Sequence, residues 1–162
     1  MLSGIGGTLT NKRFTIEAGD RMMDKYADQA LGFTFDLPIS ENAPKAARLE
    51  VEKFSDMMDV DILNDVKLLI SELVTNSFKY SAPPADAHIT VHLNIEPTVI
   101  RCEVIDPGPG FSPAARDIAL EEPGGWGLSL LDRLSARWGL VQGHGMKVWF
   151  ELDTIGRVPL LR

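Results

Sequence analysis

ISELVTNSFKYS, residues 70–81, closes an amphipathic helix whose polar residues stand in unusual places. Ile62, Val66, Leu69 and Leu73 recur at three- and four-residue intervals, so one apolar stripe runs from about Asp61 to about Tyr80. Pro83 and Pro84 then stop the helix. Glu72 and Asn76 are four apart and stack on one helical face. Asn76 falls beside the apolar stripe, where a leucine would pack better. Two readings are open: a polar pair at a helix edge, satisfied by a loop, or a carboxylate and an amide turned toward a ligand. On these two residues alone the packing reading stands ahead.

The neighbouring elements follow from the same periodicities. GFTFDL (32–37) reads as a strand ended by Pro38, and a helix follows from about Ala43. Asn42 is its N-cap, Pro44 lies in its first turn, and Ala47, Val51, Phe54 and Met58 form its stripe. AHITVHLNI (87–95) alternates, with Ile89, Val91, Leu93 and Ile95 on one side and His88, Thr90, His92 and Asn94 on the other. TVIRCEVID (98–106) turns Ile100, Cys102 and Val104 inward and Arg101 and Glu103 outward. The short Glu96-Pro97 link predicts an antiparallel hairpin. Residues 107–127 are rich in Gly and Pro and hold no convincing strand, although PAARDIAL (113–120) suits a helical turn. Such a stretch reads as a functional lid. A third helix, Trp126 to Ala136, uses Leu128, Leu131 and Leu134, and RWGLVQ (137–142) and KVWFELD (147–153) are the closing strands.

The order is strand, two helices, two strands, lid, helix, two strands. Strands that follow one another directly exclude a regular alternating parallel fold. The expected class is α+β: a two-layer α/β sandwich in which a mainly antiparallel, mixed sheet carries its helices on one face. Polar residues at alternate positions of the middle strands leave the other face open. The body spans residues 32–153. Residues 1–31 form an extension with a helix from about Glu17 to Leu31, where Ala18, Met22 and Tyr26 recur, packed on the body or on a second subunit. Residues 154–162 are a tail.

Composition bounds what the body can do. With 162 residues, 44% hydrophobic and 24% charged, the chain can bury a core and is not disordered. A net charge of −7, without a Lys/Arg run, makes direct nucleic-acid or membrane-surface binding unfavourable. The single cysteine, Cys102, allows no internal disulfide and no cysteine-cluster metal site, and fits a reducing cytoplasm. No apolar run reaches the length of a membrane span, and MLSGIGGTLTNKRF at the start lacks the apolar core of a signal peptide. The expectation is a soluble cytoplasmic protein.

Two further stretches carry chemistry. Counting by twos from Ile100 brings Asp106 to the inward face at a strand end, where a carboxylate needs a donor. DPGPG (106–110) then supplies Gly108 and Gly110, which permit a tight backbone path. A turn in which Asp106 caps its own backbone explains this stretch equally simply, and taken alone it is the favoured explanation. GGWGLSLL (124–131) puts Gly124, Gly125 and Gly127 at a helix start, where free N–H groups and the helix dipole suit a phosphate. It lacks the Gly-Lys-Ser/Thr of a P-loop.

In that order, helical Glu-x-x-x-Asn, Asp-x-Gly-x-Gly and Gly-x-Gly opening a helix resemble the GHKL nucleotide-binding family. Its Bergerat fold is that of gyrase and of histidine-kinase catalytic domains. SELVTNSFKYS, DPGPGF, GGWGLSLL, RWG and VWFEL look most like the bacterial anti-sigma-factor serine kinases. The resemblance covers about residues 32–153 and implies ATP and Mg²⁺ as cofactors. It implies Glu72 as general base and Asn76 as metal ligand. Asp106 would accept the adenine amino group, and Gly108 and Gly110 would let the lid pass over the nucleotide. Gly125 and Gly127 would offer N–H groups to the phosphates with Leu128 behind them, and Lys79, one turn beyond Asn76, would reach a phosphate or remain solvated. The implied protein is a homodimeric anti-sigma factor that holds a sigma factor and phosphorylates a serine or threonine of a STAS-domain antagonist. Two positions depart from the family's pattern. Gly145-Met146-Lys147 stands where relatives carry one or two threonines, and Trp126 where close relatives carry arginine. Either change would weaken ATP binding or slow transfer, which leaves a nucleotide-gated binding regulator without catalysis as the alternative. A stand-alone ATPase is a third reading.

Overall fold

The structure is a computed structural model that describes residues 30–80, 86–108, 126–143 and 145–155. Alternating residues form five strands: β1 (Leu31–Pro38), β2 (His88–Ile95), β3 (Val99–Asp106), β4 (Arg137–Gly143) and β5 (Gly145–Asp153). They make one sheet in the order β1-β2-β3-β5-β4, with β3 in the middle, and every pairing among the described residues is antiparallel. The β2–β3 hairpin is the one expected from Glu96-Pro97, closed by a bond from the Glu96 N–H to the Val99 carbonyl.

Three helices lie on one face: α1 (Ala43–Glu52), α2 (Val60–Tyr80) and α3 (Trp126–Leu134). Between the layers the expected inward residues meet. Ile89, Val91, Leu93, Ile100, Cys102 and Phe150 are buried from the sheet side, and Ile62, Val66, Leu69, Ile70, Leu73 and Val74 from α2. Each such side chain contributes about 1.5–3 kcal/mol by leaving water. The α1–α2 seam is also held by polar groups. Arg48 donates to Ser71 Oγ at 3.0 Å, Ser71 Oγ donates to the Lys67 carbonyl at 2.6 Å, and Lys67 pairs with Glu52.

Two helix ends and one cap differ from expectation. The first helix stops at Glu52, so Phe54 and Met58 lie beyond it. The Lys53, Phe54 and Met57 N–H groups each bond three residues back, which tightens the chain into a 3-10 turn at Ser55–Met57. Both side chains still reach the core, where Met58 is buried and the Phe54 ring lies 4.2 Å from that of Phe33. Asn42 does occupy the N-cap, but its backbone is helical and its side chain makes no capping bond. The third helix stops at Leu134, because Ala136 has joined the sheet by donating to the Glu151 carbonyl at 2.8 Å. The expected N-terminal helix, the turn in PAARDIAL and most of the lid and tail lie outside the described residues.

The opposite face of the sheet carries a charge network on β3, β4 and β5. Arg101 bridges Glu103 at 2.9 Å and Glu151 at 2.8 Å, Arg137 joins Glu151, and Lys147 joins Glu103 at 2.8 Å. The Arg101 guanidinium sits 4.3 Å over the Trp149 ring. The indole in turn lies so close to Gly139 that a Cβ there would stand 2.8 Å from its Nε1. Burial opposes the charge of Glu103, yet Lys147 and Arg101 hold its carboxyl below the ordinary range. Glu151 is likewise lowered against its burial, by Arg101 and Arg137.

Candidate functional site

The expected site residues come from three elements that pack together. α2 lies against both β3 and α3. On α2, Glu72 and Asn76 are both half-buried, and Lys79 on the next turn is exposed. The row beneath them is Leu69, Ile70, Leu73, Val74 and Ser77, all buried, so the pair stands at the rim of the core and its backbone is fixed by packing. Other polar residues of this stretch are satisfied by the helix itself: Thr75 Oγ1 donates to the Ser71 carbonyl at 2.7 Å and Ser77 Oγ to Leu73 at 3.1 Å. Those two hydroxyls therefore need no ligand.

Asp106 ends the middle strand. Strand parity turns it inward, as expected, and only 8% of its surface is exposed. Its Oδ1 accepts a 2.7 Å bond from the Gly108 N–H, so the turn anticipated from DPGPG does form. The two explanations of this stretch are compatible. One carboxylate oxygen fixes the turn, and the same residue stands buried at the end of the core.

On the neighbouring strand Met146 is the direct partner of Asp106, and it is buried. Lys147, one residue on, faces the other side of the sheet and is tied to Glu103. Of Met146 and Lys147, only Met146 is on the side of Asp106. On α3, Leu128 is buried and Gly127 is the second residue of the helix. Gly110 and Gly125 lie outside the described residues, as does Gly124.

One residue was not singled out from sequence. Gly145 opens β5 with φ +120°, and a Cβ there would stand 2.2 Å from the Asp106 carbonyl oxygen. Its signal in the sequence is Gly143-His144-Gly145 between two alternating stretches, the mark of a tight hairpin.

A family described as the histidine kinase-like ATPase domain matches residues 39–152, well over half of the chain. The chain belongs to that family. Among solved structures, the fold resembles the histidine kinase domain from Erythrobacter litoralis EL346 blue-light activated histidine kinase, with a TM-score of 0.51 and 18% identity. That match covers 72% of this chain and 61% of the other, so the chain spans less than two thirds of that domain. A comparison with curated proteins gives no match. The histidine kinase-like ATPase domain brings with it ATP binding and, more generally, kinase-like use of ATP. Of the polar residues singled out from the sequence, Glu72, Asn76 and Lys79 lie on α2 and Asp106 ends β3, two elements that pack together. Among the described residues no group of three or more His, Cys, Asp or Glu could hold a metal ion, and no helix is long and apolar enough to cross a membrane.

Proposed function

We propose that this domain is a serine/threonine protein kinase acting as an anti-sigma factor. It binds a sigma factor, and it phosphorylates a STAS-domain antagonist at a serine or threonine, which releases that antagonist. The observation that carries the reading is Asp106. A carboxylate buried at the end of the central strand, with its turn already closed by Gly108, is a rigid acceptor of the kind a base-reading site needs.

In the proposed transfer the acceptor hydroxyl oxygen forms a bond to the terminal phosphorus of ATP. The bond from that phosphorus to the bridging oxygen breaks, and ADP leaves with the electron pair. The hydroxyl proton passes to the Glu72 carboxylate, which α2 presents one turn from Asn76. The amide oxygen of Asn76 suits Mg²⁺, a hard cation that takes oxygen ligands, keeps several waters and is completed by phosphate oxygens rather than by a protein cage. When bound, Mg²⁺ neutralises charge on the phosphates. Gly127, the second residue of α3, and Gly125 supply phosphate contacts in the same reading, and positioning contributes as much as the base.

Calorimetry with Mg-ATP followed by radiolabel transfer to a STAS-domain partner tests the proposal. Glu72→Ala is expected to abolish transfer while leaving ATP binding within about twofold, since no phosphate contact is removed. Normal phosphorylation by that variant would remove Glu72 from the mechanism. Met146 favours a second reading, a nucleotide-gated binding regulator without transfer, because a thioether rather than a hydroxyl is buried opposite Asp106. ATP binding without label on any STAS partner would decide for it, and ATP turnover with no protein acceptor would decide for a stand-alone ATPase.

A further inference from the structure

Gly145 brings the last strand close against the backbone at the end of the middle strand that carries Asp106. Its φ of +120° lies where side chains are rarely tolerated, and an added Cβ would meet three backbone atoms. These are the Asp106 carbonyl oxygen at 2.2 Å, the Asp106 carbonyl carbon at 3.3 Å and the Pro107 Cα at 3.4 Å. No side chain can swing aside to relieve that contact, so the backbone of Asp106 and Pro107 would have to move. Gly143, at the other end of the same hairpin, differs: a Cβ there would meet nothing within 4 Å. The two glycines have the same chemistry and the same hairpin, but only one of them touches Asp106.

We propose that Gly145 is a positioning residue for base recognition. Its lack of a side chain lets β5 lie against the Asp106 carbonyl, and that approach sets where the Asp106 carboxylate stands. The inference rests on the reading above that Asp106 accepts the adenine amino group. Three constraints then converge on this one carboxylate. Strand parity turns it inward, the Gly108 N–H fixes one of its oxygens, and Gly145 fixes its backbone. A shift of the backbone by even part of an ångström would misplace the acceptor relative to a base held elsewhere by its phosphates, because hydrogen bonds weaken steeply with geometry.

Base discrimination tests this, because a merely structural glycine would lower the affinity for all nucleotides alike. ATP presents an amino donor where inosine triphosphate presents a carbonyl oxygen, which a carboxylate repels. Affinities for both are measured by calorimetry on the full chain and on G143A, G145A, D106N and the D106N/G145A pair, each checked for folding by circular dichroism. The expected results are a clear preference of the unaltered chain for ATP, retained in G143A, and a loss of about tenfold or more in that preference in G145A. In the D106N background, adding G145A is expected to change the preference by less than about twofold, because the two act through one group. A folded G145A with an unaltered preference overturns the proposal, and so does a G145A effect of equal size in D106N. Should G145A fail to fold, Pro107→Gly loosens the same backbone without adding an atom. A fall of several-fold is then expected, and an unchanged preference overturns the proposal. An unaltered chain that binds both nucleotides equally sinks the Asp106 reading itself, and the Gly145 proposal with it. A preference that survives G145A sinks the Gly145 proposal alone.

Discussion

Replacing Asp106 by asparagine and by alanine separates its two roles. Its Oδ1 accepts the Gly108 N–H at 2.7 Å inside a buried turn. Asparagine keeps the shape and one acceptor oxygen but replaces the other oxygen with an NH₂ donor. Two donors then compete for a single acceptor: the Gly108 N–H and the amino group of the base. Whichever way the amide is turned, one of them faces an NH₂. If the turn keeps the oxygen, the base loses a bond to a charged acceptor, which contributes about 1.5–3 kcal/mol. That corresponds to roughly a ten- to hundred-fold weakening of Mg-ATP binding. Alanine loses the same contact and also leaves the buried Gly108 N–H without this acceptor, at about 1–3 kcal/mol of fold stability. For a domain of this size that lowers the melting temperature by roughly 2–10 °C.

Calorimetry with Mg-ATP and scanning calorimetry of the free protein read the two effects independently. D106N is expected to melt close to the unaltered chain and to bind ATP weakly, and D106A to be impaired in both. Unchanged ATP affinity in D106N would refute base reading by this carboxylate. Equal melting temperatures for the two variants would refute the claim that the Gly108 bond holds the turn.

Other outcomes follow from the same packing. Phe150 is fully buried in β5 between Cys102 and Trp138 of the flanking strands, so Phe150→Ala should lose about 3–5 kcal/mol in urea unfolding. A loss below about 1 kcal/mol would contradict this placement. Met146→Thr puts a hydroxyl opposite Asp106 and should raise ATP affinity several-fold while lowering fold stability through lost packing, and an affinity that does not rise would show the thioether is no impediment. The charge network on the open face should respond to acid. Glu103 and Glu151 have lowered carboxyl values in the folded protein, so their contribution is complete above the ordinary carboxylate range and is lost as pH falls through the lowered values. Chemical denaturation from about pH 7 to about pH 3 should show that loss, smaller in Glu151→Gln. An equally steep loss in the variant would assign the acid response to other carboxylates.

Much of this fold was legible in the sequence because its two periodicities are clean. Ile89, Val91, Leu93 and Ile95 alternate without interruption, and Ile62, Val66, Leu69 and Leu73 keep helical spacing, so strands and helix lie where those patterns require. The errors fall where a pattern continues past a change of backbone. Phe54 and Met58 extend the α1 stripe in sequence, yet they reach the core from either side of a 3-10 turn, because apolar spacing constrains where side chains point rather than which backbone carries them. Asn42 illustrates the converse. It is a favoured capping residue at the right position whose helical backbone withdraws its side chain from the task.

The site was legible in a different way. Glu72 and Asn76 were ambiguous by themselves, and so was Asp106, because each has an ordinary local explanation, and for Asp106 that explanation turns out to be true. What the residues could not disclose one at a time is that the polar exceptions lie on elements that pack together. β3 turns Ile100, Cys102 and Val104 into the core and Arg101 and Glu103 out of it, and Asp106 falls on the inward row just as the strand ends. A carboxylate two residues earlier would be sealed against the helices, and one residue later it would leave the inward row. The strand thus delivers a buried acceptor at the edge of its own core, on an element that packs against α2, and its inward facing follows from counting by twos. Gly145 escaped the count because its contribution is an absence of atoms, visible only when β5 is laid against β3 in register. Motif spacing identifies the groups that can do chemistry, whereas the residues that hold them in place become visible only through the pairing of strands far apart in sequence.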